Sequence, residues 1–200
     1  MEKDSTSWHS RGYLPHYDNS DVYQFITFRL ADSLPQKVLL NLEEDLSVCG
    51  EENLDIKRRK LIDQYLDAGY GCCALVNTEM AEVMRESLLR FNGERYDLIA
   101  WCIMPNHVHV LMKSKLSLAK IVQSWRSYTG RWAMKHNEEL DLGIPDKAKR
   151  FWMRDYWDRF IRSEKHYYTV IGYIHQNPVK AGLCDKVKDW KMSSAYDERK

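Results

Sequence analysis

Apolar and polar positions divide the chain into short strands and amphipathic helices. Residues 22–30 alternate as a half-buried strand does. Pro35 opens a predicted helix to about Leu46, an acidic loop covers 49–55, and a charged helix spans 56–68 and ends before Gly69. Residues 72–77 are a short apolar segment. Thr78 is the expected cap of a helix to about Phe91, stopped by Asn92-Gly93. Two apolar strands, 95–103 and 107–113, meet at Pro105-Asn106 and predict an antiparallel hairpin. Ser117 caps a long helix to about Asn137, and a loop with Gly143 and Pro145 follows. A short strand near 157–161 precedes a helix over 164–176, capped by Ser163 and ended by Pro178. Residues 1–21 read as polar and irregular, and 183–200 as a tail. Strands and helices in similar number predict an α+β domain, an antiparallel sheet with helices on one face.

Composition narrows this only a little. Two hundred residues suit one domain with a real core, and 22–197 read as that domain behind an arm at 1–21. A net charge of +1 gives no overall basic field. Locally, Lys and Arg between Lys113 and Arg162 interleave with Trp125, Tyr128, Trp132, Trp152, Tyr156 and Trp157. Cations beside flat aromatics suit single-stranded nucleic acid, and core tryptophans explain the same residues equally well. Five scattered cysteines without a Cys-x-x-Cys, no membrane-length apolar run and no signal pattern at the start lead to the expectation of a reduced, cytoplasmic protein.

The chemistry concentrates in two stretches. Around Met104 to Met112, the period of a strand puts His107, His109 and Leu111 on one face and Val108, Val110 and Met112 on the other. The imidazoles then stand roughly 6–7 Å apart along the backbone, so they can converge on one cation. Two ordinary half-buried histidines remain the alternative for this pair taken alone. In the second stretch Tyr173 and Asn177 are four apart and share a helix face. A phenol is a potential nucleophile and an amide oxygen a potential ligand; the plain alternative is a core tyrosine before a helix-stopping Asn-Pro. Tyr167 and Tyr168 share the helix, but Ile171 and Gly172 stand where a polar partner would be needed. His175 points roughly 200° away from Tyr173, which makes it a DNA or structural contact.

Together these stretches resemble the single-tyrosine, His-hydrophobic-His transposases that act on single-stranded DNA, and within them the IS200-like branch of REP-associated tyrosine transposases. The segments that carry the likeness are Arg11 to Asp18 with Gln24 to Leu30, Met104 to Met112, Ser124 to Arg131, and Phe151 to Arg162 continuing through Tyr173 to Gly182. Residues 41–75 match no motif of the family. The resemblance implies a ferredoxin-like core with the histidine strand in the centre and the tyrosine on a C-terminal helix. It implies that His107, His109 and Asn177 hold one Mg²⁺ or Mn²⁺, and that Tyr173 attacks a phosphate to leave a 5′-phosphotyrosine and a free 3′-hydroxyl. DNA contacts are then expected from the arm (Arg11, Tyr13, His16) and from Arg126, Arg131, Arg154, Arg159 and Lys180. The implied partner is single-stranded or hairpin DNA, with the protein a monomer or homodimer, cytoplasmic and nucleoid-associated when bound. Two alternatives stay open: a domesticated hairpin-binding protein with little or no cleavage, and a metal-dependent phosphodiesterase on the same fold.

Overall fold

The computed structural model describes residues 8–10, 15–17, 22–47 and 54–196. Trp8–Ser10 (β1) and Pro15–Tyr17 (β2) form a two-stranded antiparallel ribbon, with His9 opposite His16. The stretch expected to be irregular is thus partly a ribbon. Arg11 and Tyr13 lie outside the described residues.

The main sheet contains Tyr23–Arg29 (β3), Tyr96–Ile103 (β4), His107–Ser114 (β5) and Trp157–Phe160 (β6), in the order β4-β5-β3-β6 with every pair antiparallel. Helices Gln36–Ser47 (α1), Leu54–Asp67 (α2) and Thr78–Leu89 (α3) lie between β3 and β4. Leu118–Lys135 (α4) and the short Asn137–Leu140 (α5) lie between β5 and β6, and Glu164–Lys180 (α6) follows. Counting only the strands and the helices α3 and α4 that cover the sheet, this is the βαββαβ plan with the histidine strand central, as expected of a ferredoxin-like core.

Helices cover both faces of the sheet, which corrects the expectation of one. Ile26, Phe28, Val108, Val110 and Met112 pack against Met80, Met84 and Leu88 of α3 and Leu118, Ile121, Val122 and Trp125 of α4. Phe25, Ala100, Cys102 and Leu111 on the other face pack against Val170 and Ile174 of α6. The cause is visible in β5, where seven of eight residues are buried, so neither of its faces can be left to water.

Two local expectations change. The cap of α3 is Asn77, whose side chain accepts from the backbone N–H of Glu79 and Met80, and Thr78 is the first helical residue. Ser163 does cap α6, accepting from His166 N–H at 3.2 Å. Pro178 does not end α6: the helix runs on to Lys180, and Gly182, at φ +69°, marks the turn beyond it. Proline removes one donor only, and beyond it Ala181 N–H still reaches the Asn177 carbonyl at 2.9 Å. Asn177 is therefore held inside a helical turn instead of at a frayed end.

The expected C-terminal tail is docked. Ile103 N–H donates to the Met192 carbonyl at 2.8 Å, Trp101 N–H to Ser194 Oγ at 2.9 Å, and Ser194 N–H to the Trp101 carbonyl at 3.0 Å. This pairing satisfies the free side of edge strand β4.

Helices α1 and α2 form a hairpin with a small core of Leu34, Val38 and Leu66. After α2 the chain turns at Gly69 and Gly71, both at positive φ. A Cβ at Gly71 would collide with the Asp32 carbonyl oxygen, so this close crossing requires glycine. It brings the last turn of α2 against the β4–β5 turn.

Candidate active site

On the α6 face of the sheet, His107 and His109 are each 1% exposed and their Nε2 atoms are 3.1 Å apart. A fully buried asparagine fixes the first ring. Asn106 Nδ2 donates to the carbonyls of Leu66 and Tyr70, both at 3.2 Å, so its Oδ1 can only accept, and it does so from His107 Nδ1 at 2.7 Å. His107 Nε2 is therefore a bare lone pair. The second ring is supported from β3, where Thr27, opposite His109 in register, places Oγ1 2.8 Å from His109 Nδ1. A hydroxyl both donates and accepts, so Thr27 serves either tautomer of His109.

Asn177 on α6 is fully buried and closes the cluster. Its amide satisfies both neighbours in one orientation: Nδ2 donates to Asp67 Oδ1 at 3.1 Å and Oδ2 at 3.3 Å, and Oδ1 accepts from His109 Nε2 at 2.8 Å. Asp67 Oδ1 is also 3.8 Å from His107 Nε2. One turn earlier, Tyr173 stands 5.4 Å from His109 between ring centroids, and its hydroxyl donates to Asp63 Oδ2 at 3.4 Å. Lys180 Nζ is 5.5 Å from the centre of the tyrosine ring.

Burial sets the charge states. Desolvation, then the neighbouring His109 and Arg29, holds His107 well below its ordinary value, and desolvation takes His109 down to about 3. Both rings are neutral near pH 7, the form that binds metal. Desolvation and then Asp63 push Asp67 up to about 7, against the pull of Lys180. Desolvation and Asp63 likewise push the Tyr173 phenol up, so its hydroxyl is protonated near neutrality.

The spacing of the donors present fits an octahedral divalent cation. Two donors bonded at about 2.1 Å to an octahedral ion and 90° apart stand about 3 Å from each other. The two Nε2 atoms and the Asn177 oxygen repeat that spacing along the His107–His109 and His109–Asn177 edges, at 3.1 and 2.8 Å. Among the described residues no three His, Cys, Asp or Glu side chains form a metal cage, and the Asn177 oxygen beside His109 Nε2 is the donor that would complete a set of three with the two rings.

The expected site residues thus separate. Tyr173, His107, His109 and Asn177 come together. Tyr168 is 63% exposed, and Tyr167 packs on Tyr23 at 5.0 Å instead of the histidines. His175 bonds Ser194 Oγ at 2.9 Å, which makes it a structural contact. The partly buried guanidinium of Arg126 donates to the carbonyls of Met153 and Arg154 and lines the same groove as Arg131 and Arg154. Arg131 and Arg154 are exposed and line a groove of about 850 Å³ beside α4 with Lys149 and Arg150. Arg159 is exposed on β6 opposite Phe25, and so shares the histidine face, as does Lys180. His16 sits in β2. Of the interleaved aromatics, Trp125, Trp152 and Tyr156 are core, while Tyr128 is 45% exposed. Asp63, Asp67, Asn106 and Thr27 were missed; only Thr27 was foreseeable, as the residue of a strand that pairs with the histidine strand.

A histidine pair on a central strand is faced by a tyrosine on a C-terminal helix, the arrangement that the resemblance implied. Residues 74–177, just over half the chain, match the family described as Transposase IS200 like, and the chain belongs to that family. It is 25% identical over 121 residues to the REP-associated tyrosine transposase of Escherichia coli K12, covering 60% of this chain and 67% of that one. It is 28% identical over 117 residues to a Haemophilus influenzae protein provisionally given the same name, covering 52% of this chain and 62% of that one. The fold is similar to a solved REP-associated tyrosine transposase bound to a REP hairpin, with a TM-score of 0.55 at 16% identity over 92% of this chain and 82% of that chain. No helix among the described residues is long and apolar enough to cross a membrane.

Proposed function

We propose that this chain cuts and rejoins single-stranded DNA beside hairpins, with Tyr173 as nucleophile and one Mg²⁺ or Mn²⁺ held by His107, His109 and Asn177. The observation that carries the reading is the meeting of these four side chains, from β5 and α6 of a single chain, in one cluster. When bound, the cation supplies Lewis-acid polarisation of the scissile phosphate.

The chain's own groups do the rest. Asp63 Oδ2 accepts the hydrogen bond of the Tyr173 hydroxyl, which orients the phenol and gives its proton a place to go. The Tyr173 oxygen forms a bond to phosphorus as the bond to the 3′-oxygen breaks; the leaving oxygen takes a proton from solvent water and departs as a 3′-hydroxyl, while the phenol proton passes to Asp63. The 5′-phosphotyrosine keeps the bond energy, so rejoining reverses these steps without a nucleotide cofactor. Lys180 and Arg159 supply positive charge to the strand on this face, and Arg131 and Arg154 do so in the α4 groove.

The test is incubation with end-labelled hairpin DNA and Mn²⁺ followed by denaturation. A covalent adduct from the wild type and none from Tyr173→Phe, at unchanged hairpin affinity, is the expected result. Adducts from both proteins would move the nucleophile elsewhere. Hairpin binding with no adduct would replace the enzyme by a binding protein, and hydrolysis surviving Tyr173→Phe would favour a phosphodiesterase.

A further inference from the structure

The last turn of α2 reaches the cation site from outside the segment that matches the family, since α2 ends at Asp67 and the match begins at residue 74. Its position there is built. Asn106 bonds the carbonyls of Leu66 and Tyr70, on either side of Asp67, and Cys72 N–H donates to the Asp32 carbonyl at 3.0 Å. Between those ties Asp67 is only one-quarter exposed, and its carboxylate meets the Asn177 amide.

We infer that Asp67 is a positioning residue of the cation site, acting through Asn177. An amide has nearly the same shape whichever way its oxygen and nitrogen point, so packing alone does not aim it. The Asp67 carboxyl group facing it does: both its oxygens lie within hydrogen-bond reach of one end of the amide and accept from Nδ2, which turns Oδ1 the other way. The distances match, with Nδ2 at 3.1 and 3.3 Å from the Asp67 oxygens and Oδ1 at 2.8 Å from His109 Nε2. Without Asp67 the amide could present two N–H groups to the pocket, and those repel a cation. The arrangement follows a general rule of metal sites, in which a hydrogen-bond partner behind a ligand fixes its orientation. The inference rests on the metal reading given under the proposed function.

The experiment is Mn²⁺ titration calorimetry on the full chain, with thermal unfolding in chelator alongside. Asp67→Ala is expected to weaken Mn²⁺ binding by about 10–100-fold, the usual cost of losing such a partner. Asp67→Asn, which can turn either its oxygen or its NH2 group toward Asn177, should recover only part of that loss. In an Asn177→Ala background, Asp67→Ala should weaken binding by less than about twofold more, because the ligand it aims is already gone. Wild-type affinity in Asp67→Ala would overturn the proposal, as would losses that multiply in the double variant. A metal-free melting temperature lowered by several degrees in Asp67→Ala, with Mn²⁺ affinity kept, would assign Asp67 to the fold alone and overturn it as well. A wild-type protein that binds no Mn²⁺ would overturn the metal reading itself, and this inference with it.

Discussion

Strand β5 shows the two faces of the sheet doing opposite work. Val108, Val110 and Met112 enter a core of methionine, leucine and tryptophan from α3 and α4, all fully buried. On the reverse, His107 and His109 are buried just as deeply, yet they meet an amide, a carboxylate and a hydroxyl. The first face gains free energy from burial; the second spends some of it on groups that water would solvate better. Equal burial therefore does not mean an equal role, and residues on the two faces should respond to substitution in opposite ways.

The largest expected effect separates the faces outright. His109→Ala should reduce adduct formation by about 10³-fold or more, equivalent to about 4 kcal/mol of barrier, while lowering the melting temperature little. Labelled-hairpin adduct yields measured beside thermal unfolding would check both halves. Trp125→Ala should do the reverse. Its indole N–H donates to Tyr96 at 3.0 Å and its ring packs on Phe28, so chemical denaturation should register a loss of about 3–5 kcal/mol. Adduct formation should persist wherever the variant is still folded.

The pH dependence of metal-free stability sharpens the contrast. His109, held at about 3 in the fold against 6.5 unfolded, contributes full stability above 6.5 and loses it as pH falls toward 3; His107, also depressed, has the same sign. Asp67, raised from 3.8 to about 7, has the opposite sign: its contribution is full below 3.8 and lost as pH rises through 7. Two groups against one make stability rise between pH 4 and 6.5 by at most about 1.4 kcal/mol per unit. Asp67→Asn should steepen that slope, as urea unfolding in chelator would reveal. A slope unchanged by the substitution would remove Asp67 from the account.

The smallest effect concerns two arginines near the same groove. Arg126→Ala leaves the carbonyls of Met153 and Arg154 without their donor and should cost about 1–3 kcal/mol of stability. Exposed Arg131→Ala should stay within about 0.5 kcal/mol in unfolding, yet weaken hairpin binding in a salt-dependent way. A salt titration of both variants would read the difference.

Much of this site was legible because its parts are local. Alternation alone places His107 and His109 on one face, and a spacing of four places Tyr173 with Asn177. Asp63 and Asp67 share that same spacing on α2, but nothing in their neighbourhood tells a solvated helix face from one docked on a sheet more than thirty residues away. The docking depends on Asn106 and on the glycine crossing at Gly71, both tertiary events. Pro178 misled for a related reason. The rule for proline describes an isolated helix, whereas here buried Asn177 and the bond from Ala181 carry the turn past it. Arg126 could not be told from Arg131 by residue type; only the loop carbonyls beside it distinguish them.

Asn106 has a consequence for how this site is born. Its amide reads the end of α2 with one atom and the His107 ring with the other. Without the two α2-end carbonyls that amide could turn over, and His107 could carry its proton on either nitrogen. The docked hairpin fixes that amide, so the end of α2, which itself comes within 3.8 Å of His107 through Asp67, sets the tautomer of the ring. Shortening or lengthening the chain between α2 and α3 would then act like a switch on a tautomer, silencing the histidine pair while every residue of the pair stayed in place.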